Sequence, residues 1–452
     1  MTRLWTILYN LGPIPILAAG LRVAALFNSK VRRGLKGRQH LFAELEEKLR
    51  SLKPGKRVWF HSSSMGEFEQ AKPIIVALKR KHADVRIIVS FFSPSGYDNS
   101  KNYPFADIVT YIPFDTRKHA ERFIGLIAPD AAVIVRYDVW PNHIWELYRR
   151  GIPVFLANAT MRRSSPRLRW PWKSFHRLLY RGMKAILTVS QEDADRFRLF
   201  GFEGPEITPA GETRYDQVLQ RSAEARRRHI LQKRFLENRT VIVAGSTWPE
   251  DEAVLLPAFR KLAHYDPQVL LILVPHEPTI NALDEVEQAI NFRPRSIRFS
   301  ELNDYAGEPI IIVDSIGILI ALYQYADIAF VGGSFRQNVH NVLEPAVYGV
   351  PVLYGPKHAN SQEALALTKC GGGIVVRDQL EMYRMLRSYS QDVIGRAKAG
   401  NCSRALVSEH AGATKRFLEY LEPTIWPVKT KRTPHPVSLR SKKRGVQRRK
   451  KS

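Results

Sequence analysis

The 452-residue chain has two cysteines, Cys370 and Cys402, and too few acids to balance its bases. So few cysteines in a chain this long exclude a disulfide framework and fit a reducing compartment. They have no metal-ligand spacing, and without an HExxH motif or a clustered His/Cys set no structural zinc is expected. No paired-carboxylate D-x-D motif stands at a strand end, so nothing calls for a metal, and no other cofactor is expected. Low-complexity and collagenous bias are absent as well. The folded segments carry no recognisable DNA- or RNA-binding motif, so nucleic acid is not an expected partner.

The acid deficit is large: 43 Asp and Glu face 69 Lys and Arg, a net charge of +26. Eleven of those bases, with no acid among them, fall in the C-terminal run VKTKRTPHPVSLRSKKRGVQRRKKS. Such a tail, over 429–452, is expected to be disordered and suited to an anionic membrane surface. Membrane-length apolar runs are scarce, with one exception near the start: LWTILYNLGPIPILAAGLRVAALF, Leu4 to Phe27, followed by Lys30, Arg32, Arg33, Lys36 and Arg38. It is long enough to span a bilayer, yet Pro13, Pro15 and Arg22 interrupt it. No convincing cleavage site follows, so residues 1–30 are expected to be a retained anchor, spanning or monotopic, with its bases on the cytoplasmic side.

What remains reads as strand and helix in alternation. Short apolar runs at Val58–Phe60, Arg86–Phe92, Ala131–Val135, Thr240–Ala244, Val269–Val274 and Ile328–Val331 each end in a polar turn. That pattern predicts two doubly wound α/β domains, over 31–220 and 221–400, facing a cleft. The charged, apolar-poor stretch Ser222–Asn238 is the expected linker, and a helix over 401–428 closes the folded part. Arg162–Gly182 mixes bases with aromatics, which suits an anionic, partly apolar partner.

Two stretches carry candidate chemistry. In the first, His61-Ser62-Ser63-Ser64-Met65-Gly66-Glu67 joins a strand to a helix, with Ser as cap and Glu67 in the first turn. Most acids there only complement the helix dipole, but a glycine beside this one leaves room for a ligand. In the second, Gly332-Gly333-Ser334 leads to a helical pattern carrying His340, Asn341, Val342, Leu343 and Glu344. Helix starts after Gly333 and Pro356 would favour an anion, and Glu344 could accept hydrogen bonds from a ribose diol.

The ordered motifs resemble the 3-deoxy-D-manno-octulosonic acid (Kdo) transferases of lipopolysaccharide assembly. They run through Ser64–Glu67, Asp138–Asn142, Gly211–Asp216, Ser246–Glu252, Pro275–Pro278, Asp314–Leu319, Phe330–Ser334 and His340–Pro345, within a likeness that extends from the anchor to about Glu422. The resemblance implies a GT-B glycosyltransferase built of two Rossmann-like domains. Its donor would be CMP-Kdo and its acceptor a lipid A precursor, at the cytoplasmic face of the inner membrane. It implies Glu67 as general base, with Asp138 as the second catalytic carboxylate. Pro275, His276, Ile316, Gly317, Ile318 and Asn341 to Glu344 would hold CMP, together with Arg214, Gly333 and His340. The chain departs from the family pattern in several places. Asp138 stands for Glu, Arg214 for Lys, Trp248 for His, His276-Glu277 for Arg-His and Ile318 for Glu. A GT-B enzyme using a UDP-sugar and a non-catalytic, basic membrane-tethered binder are the alternatives.

Overall fold

The computed structural model describes residues 2–290 and 296–427, with side chains from Leu4 onward. The basic tail therefore lies outside the described residues. Among them are fourteen strands in two separate all-parallel sheets of seven. The first holds β1 (Lys56–Ser62), β2 (Val85–Phe91), β3 (Ile108–Tyr111), β4 (Ala131–Val135), β5 (Val154–Ala159), β6 (Ala185–Thr188) and β7 (Glu206–Pro209), in the order 3-2-1-4-5-6-7. The second holds β8 (Thr240–Thr247), β9 (Val269–Pro275), β10 (Ser296–Arg298), β11 (Ile310–Ile312), β12 (Ile328–Val331), β13 (Val352–Tyr354) and β14 (Gly373–Val375), in the order 10-11-9-8-12-13-14.

Helices cover both faces of each sheet, so the strands read as unbroken apolar runs. Along β1, Val58 and Phe60 face the core under helix Met65–Lys81, whereas Trp59 faces the core under helices Arg117–Ile127 and Pro141–Arg149. The strand order switches direction between β1 and β4 in the first sheet and between β8 and β12 in the second, where β10 also lies outside β11 at the edge. At such switch points the loops leaving the strands diverge and open a crevice.

The expected C-terminal helix over 401–428 is instead two helices with different loyalties. Val393–His410 buries Leu406 and Val407 in the second domain. Gly412, at φ +94°, breaks the chain in the left-handed region, which glycine adopts without strain. Helix Ala413–Ile425 then returns to the first domain and buries Phe417, Leu418, Leu421 and Ile425 there, each worth roughly 1.5–3 kcal/mol. The domains are therefore joined twice.

The second joint is helix Thr213–Ala225. Its Thr213 Oγ1 donates to the Gln70 carbonyl at 2.7 Å, while Tyr215 and Val218 are buried in the second core. Asp216 accepts the Gly412 and Thr414 N–H groups at 2.5 and 2.6 Å, which ties both crossings together. Downstream, Leu231 and Phe235 of the expected linker are buried in the second domain.

The apolar N-terminus forms helices Thr2–Leu11 and Pro13–Phe27, within which the 24 residues Leu4–Phe27 are long and apolar enough to cross a membrane. Leu11, Ile16, Leu26 and Phe27 are all more than two-thirds exposed. One side of the first helix rests on the protein: Trp5 and Tyr9 meet Phe175, and Tyr9 meets Trp145 edge-on at 5.9 Å.

Candidate active site

The two switch points face a cleft of about 2340 Å³ between the domains. Met65, Gly66, Glu69, Arg136, Arg162 and Arg167 line it from the first domain, and His340, Asn341, Val342, Ser361 and Glu363 from the second. Arg214 and Arg221 of the bridging helix form part of its floor.

On the first-domain side, helix Met65–Lys81 starts with Ser64 as cap and Glu67 at the third position. Glu67 Oε2 accepts the N–H of Ser63 at 2.6 Å and of Ser64 at 3.3 Å, so this carboxylate does cap its own helix. Both bonds go to one oxygen. Burial first, and then the Asp138 carboxylate, push the Glu67 pKa up; the two N–H groups and His61 pull it part of the way back.

Asp138 follows β4 and shifts the opposite way. Burial alone would raise it, but hydrogen bonds from His61 Nε2 at 2.8 Å and Trp140 Nε1 at 3.2 Å outweigh that and hold it below its usual range. His61 is fully buried, and its Nδ1 meets Ser90 Oγ at 2.8 Å. Two carboxylates with pKa values pushed apart are the usual arrangement for dividing proton-transfer and electrostatic roles. Neither is among the residues that line the cleft, although their chain neighbours Gly66 and Tyr137 are.

The second-domain side is built from rings. Trp248, after β8, lies 4.7 Å from His276, which follows β9, and His276 stacks on His340 at 4.4 Å and 14°. Trp248 Nε1 donates to His340 Nε2 at 3.1 Å, and the Arg336 guanidinium sits 3.9 Å over the Trp248 ring. Burial, with the neighbouring His276, lowers the His340 pKa to about 4, so this imidazole is neutral and accepts the indole proton.

The Gly332-Gly333 turn departs from expectation. A side chain on Gly332 would collide with the Ser246 carbonyl and Thr247 Cα, so the close approach is to the protein's own β8 loop. The Gly333 N–H goes to Asp251 Oδ2 at 2.7 Å, and Asp251 also takes the N–H groups of Phe335 and Trp248. These donors are consumed internally, and residues 334–337 form a turn with no helix start. Gly333 is therefore not an anion-binding donor. Its role is to let the loop fold over Asp251. The helix carrying Glu344 shrinks to Leu343–Ala346. By contrast, helix Gln362–Cys370, capped by Ser361, opens onto the cleft as expected. The helix after β8 is capped at Trp248, with Pro249 at its first position, and not by Ser or Thr. Thr247 instead bonds Glu252.

Of the residues expected to hold the donor, Arg214, His340, Asn341 and Val342 line the cleft. Pro275 ends β9 and His276, exposed, follows it and stacks on His340, while Leu343 is buried. Ile316 is 87% exposed beside Gly317 and Ile318, outside the cleft lining. Both bridging-helix arginines pair with second-domain acids: Arg214 with Glu363 at 3.1 Å, and Arg221 with Glu344 at 3.0 Å. Burial raises the Glu344 pKa, partly offset by Arg221 and Asn341.

Sequence reasoning missed Arg136, whose guanidinium reaches Gln70 at 3.0 Å and the buried Glu212 at 3.3 Å. The only local signal was a basic residue at the end of a switch-point strand. Its φ of 62° is strained for a non-glycine residue and aims the side chain into the cleft floor. Among the described residues, no group of three or more His, Cys, Asp or Glu side chains could hold a metal ion.

Two parallel doubly wound domains facing a polar cleft, with carboxylates at one switch point and stacked rings at the other, define a protein of the GT-B architecture. Solved structures bear out the fold. UDP-GlcNAc 2-epimerase from Neisseria meningitidis superposes with a TM-score of 0.57 over 81% of this chain and 99% of its own, at 14% identity. Residues 35–217 match the sequence family of 3-deoxy-D-manno-octulosonic-acid transferases (kdotransferases). The 3-deoxy-D-manno-octulosonic acid transferase of Aquifex aeolicus is 30% identical over 332 residues, 73% of this chain and 84% of that protein. That of Haemophilus influenzae is 27% identical over 384 residues, 83% of this chain and 88% of that protein. The chain belongs to the Kdo transferase family of lipopolysaccharide biosynthesis.

Proposed function

We propose that the protein transfers Kdo from CMP-Kdo to a lipid A precursor with inversion, at the cytoplasmic face of the inner membrane. The observation that carries the reading is the carboxylate pair at the β1/β4 switch point, with Glu67 raised and Asp138 lowered. A base is most effective when its pKa lies near the working pH, and Glu67 is moved in that direction. The acceptor hydroxyl oxygen attacks the anomeric carbon while Glu67 takes its proton. The bond from that carbon to the donor phosphate oxygen breaks, and CMP leaves with the electron pair. No step is assigned to a metal or other cofactor. Charge on the leaving phosphate is met by the start of helix Gln362–Cys370 and by Arg214, once that guanidinium exchanges Glu363 for phosphate.

Asn341 and Glu344 are assigned to the ribose, and the rings of Trp248, His276 and His340 to the base. On the acceptor side, Arg162 and Arg167 line the cleft with no carboxylate partner among the described residues. The exposed Trp170 and Trp172 follow them. That mixture of cation and ring suits a phosphorylated glycolipid, and the apolar N-terminal helices would keep the enzyme beside it.

One incubation with CMP-Kdo and a tetra-acylated lipid A precursor, read by mass spectrometry, tests donor, acceptor and sugar count together. Glu67→Gln is expected to lower transfer by about 10²–10⁴-fold while CMP-Kdo still binds. Near-native turnover in that variant would remove Glu67 from its role, and transfer from a UDP-sugar alone would replace the donor.

A further inference from the structure

The apolar N-terminal helix is bonded to the segment that carries Asp138. Asp115, at the end of β3, has a fully buried carboxylate. Its Oδ2 accepts the Tyr9 hydroxyl at 2.8 Å and the Asn142 N–H at 3.0 Å. Its Oδ1 accepts the His143 N–H at 3.0 Å and lies 2.5 Å from His143 Nδ1. Asn10 and Asn142 pair through both amides, at 3.0 and 3.1 Å, and Asn142 also donates to the Asp115 carbonyl.

Asn142 and His143 belong to the first turn of helix Pro141–Arg149, whose cap is Trp140. Trp140 is fixed in turn: its ring stacks on Phe92 at 4.9 Å and its Nε1 donates to Asp138. Asp138 then meets His61 and acts electrostatically on Glu67. A continuous set of bonds thus runs from residues 9 and 10 to the carboxylate pair. A purely lipophilic anchor would need none of these buried polar contacts. A hydroxyl and an amide taken out of water cost free energy unless they are bonded; here Asn10 is bonded to Asn142 in the helix start and Tyr9 to Asp115, which holds that start.

We propose that Tyr9 and Asn10 are positioning residues for the transfer reaction: held by Asp115 and Asn142, they fix the start of helix Pro141–Arg149 and with it Asp138 beside His61. This rests on the reading of Glu67 and Asp138 given above. Seating of the N-terminal helices is thereby linked to the geometry of the carboxylate pair, as well as to residence at the membrane.

The test uses the full-length protein carrying Tyr9→Phe, Asn10→Ala or both. Tyr9→Phe keeps the ring against Trp145 and Phe175 and removes only the hydroxyl, so it decides the kinetic arm should the double variant fail to fold. Three quantities are read: kcat and KM for CMP-Kdo, co-sedimentation with phosphatidylethanolamine–phosphatidylglycerol vesicles, and amide hydrogen exchange over residues 136–145. The double variant is expected to co-sediment like wild type and to keep KM within about two-fold. Its kcat should fall roughly ten-fold, the usual scale for a small misplacement of reacting groups, and exchange should quicken at 138–143. A kcat within about two-fold of wild type overturns the proposal, as does an activity loss that only tracks lost vesicle binding. If wild type itself transfers no Kdo, the functional reading has failed. Exchange alone then decides, and unchanged protection at 138–143 overturns the positioning role.

Discussion

The two switch points share a fold, and each sets a third-position acid on the N–H of its helix cap, but they differ in what else their loops gather. At β1/β4 the loops bury charge: Glu67, Asp138 and His61 lie within one hydrogen-bonded group, and the two carboxylates shift in opposite directions. At β8/β12 the loops gather rings, and their buried carboxylates are spent inside the protein: Asp251 on three backbone N–H groups and Glu252 on Thr247. One edge sets two carboxylates around an imidazole, and the other stacks rings beneath a guanidinium. Duplicating an architecture does not duplicate a site. The side chains at the strand ends decide what each half contributes.

The sharpest way to break the comparison is at Asp138. Asp138→Asn removes a charge that raises Glu67 and leaves His61 an uncharged amide oxygen in place of a carboxylate. Loss of kcat by about 10²-fold is expected, comparable to losing an oriented electrostatic contact. The sign of the pH effect is fixed as well. Glu67 must be ionised to take a proton, so kcat/KM rises as pH climbs through its raised pKa. Removing the Asp138 charge lowers that pKa, so the acid limb should move to lower pH. A limb that stays in place would show that another group sets it.

The contrast at the other edge is structural. Asp251→Ala leaves the N–H groups of Trp248, Gly333 and Phe335 without their acceptor. A loss of about 2–3 kcal/mol is expected in denaturant unfolding, since buried donors would be left unpaired. An unchanged midpoint would mean that the Gly-Gly loop holds itself. Trp248→Ala should do less: donor affinity falls about ten-fold by calorimetry, with kcat nearly constant, because the ring acts in binding alone.

These differences were unequally legible in the sequence. Apolar runs such as Ala131–Val135 and Ile328–Val331 become strands with those bounds, because a strand buried on both faces needs nothing but apolar residues. β7, β10 and β14 were not legible. Each is short and near a sheet edge, and is defined by its neighbour more than by its own side chains. Glu67 and Asp138 could be singled out because motif and strand end coincide. Their opposed shifts could not, since those depend on His61 and Trp140 converging from different elements. The Gly332-Gly333 turn was misread for a related reason. Glycines announce a close approach but not its partner, which here is Asp251, more than eighty residues upstream.

The smallest expected effect separates the hold on the bridging helix from the chemistry. Arg221 of that helix pairs with Glu344, the arginine nearly half exposed and the carboxylate nearly buried. The exposed partner alone would contribute only about 0.2–1 kcal/mol. Glu344, however, has a raised pKa in the folded protein. The folded state therefore holds that proton more tightly than the unfolded chain, and stability falls as pH rises through the interval between the two pKa values. Arg221→Gln removes the charge that limits this rise. The Tm deficit of the variant should then be slight near pH 5 and widen toward pH 8. A deficit that stays flat across that range would show Glu344 ionised in both proteins, and the pair would be an ordinary surface contact.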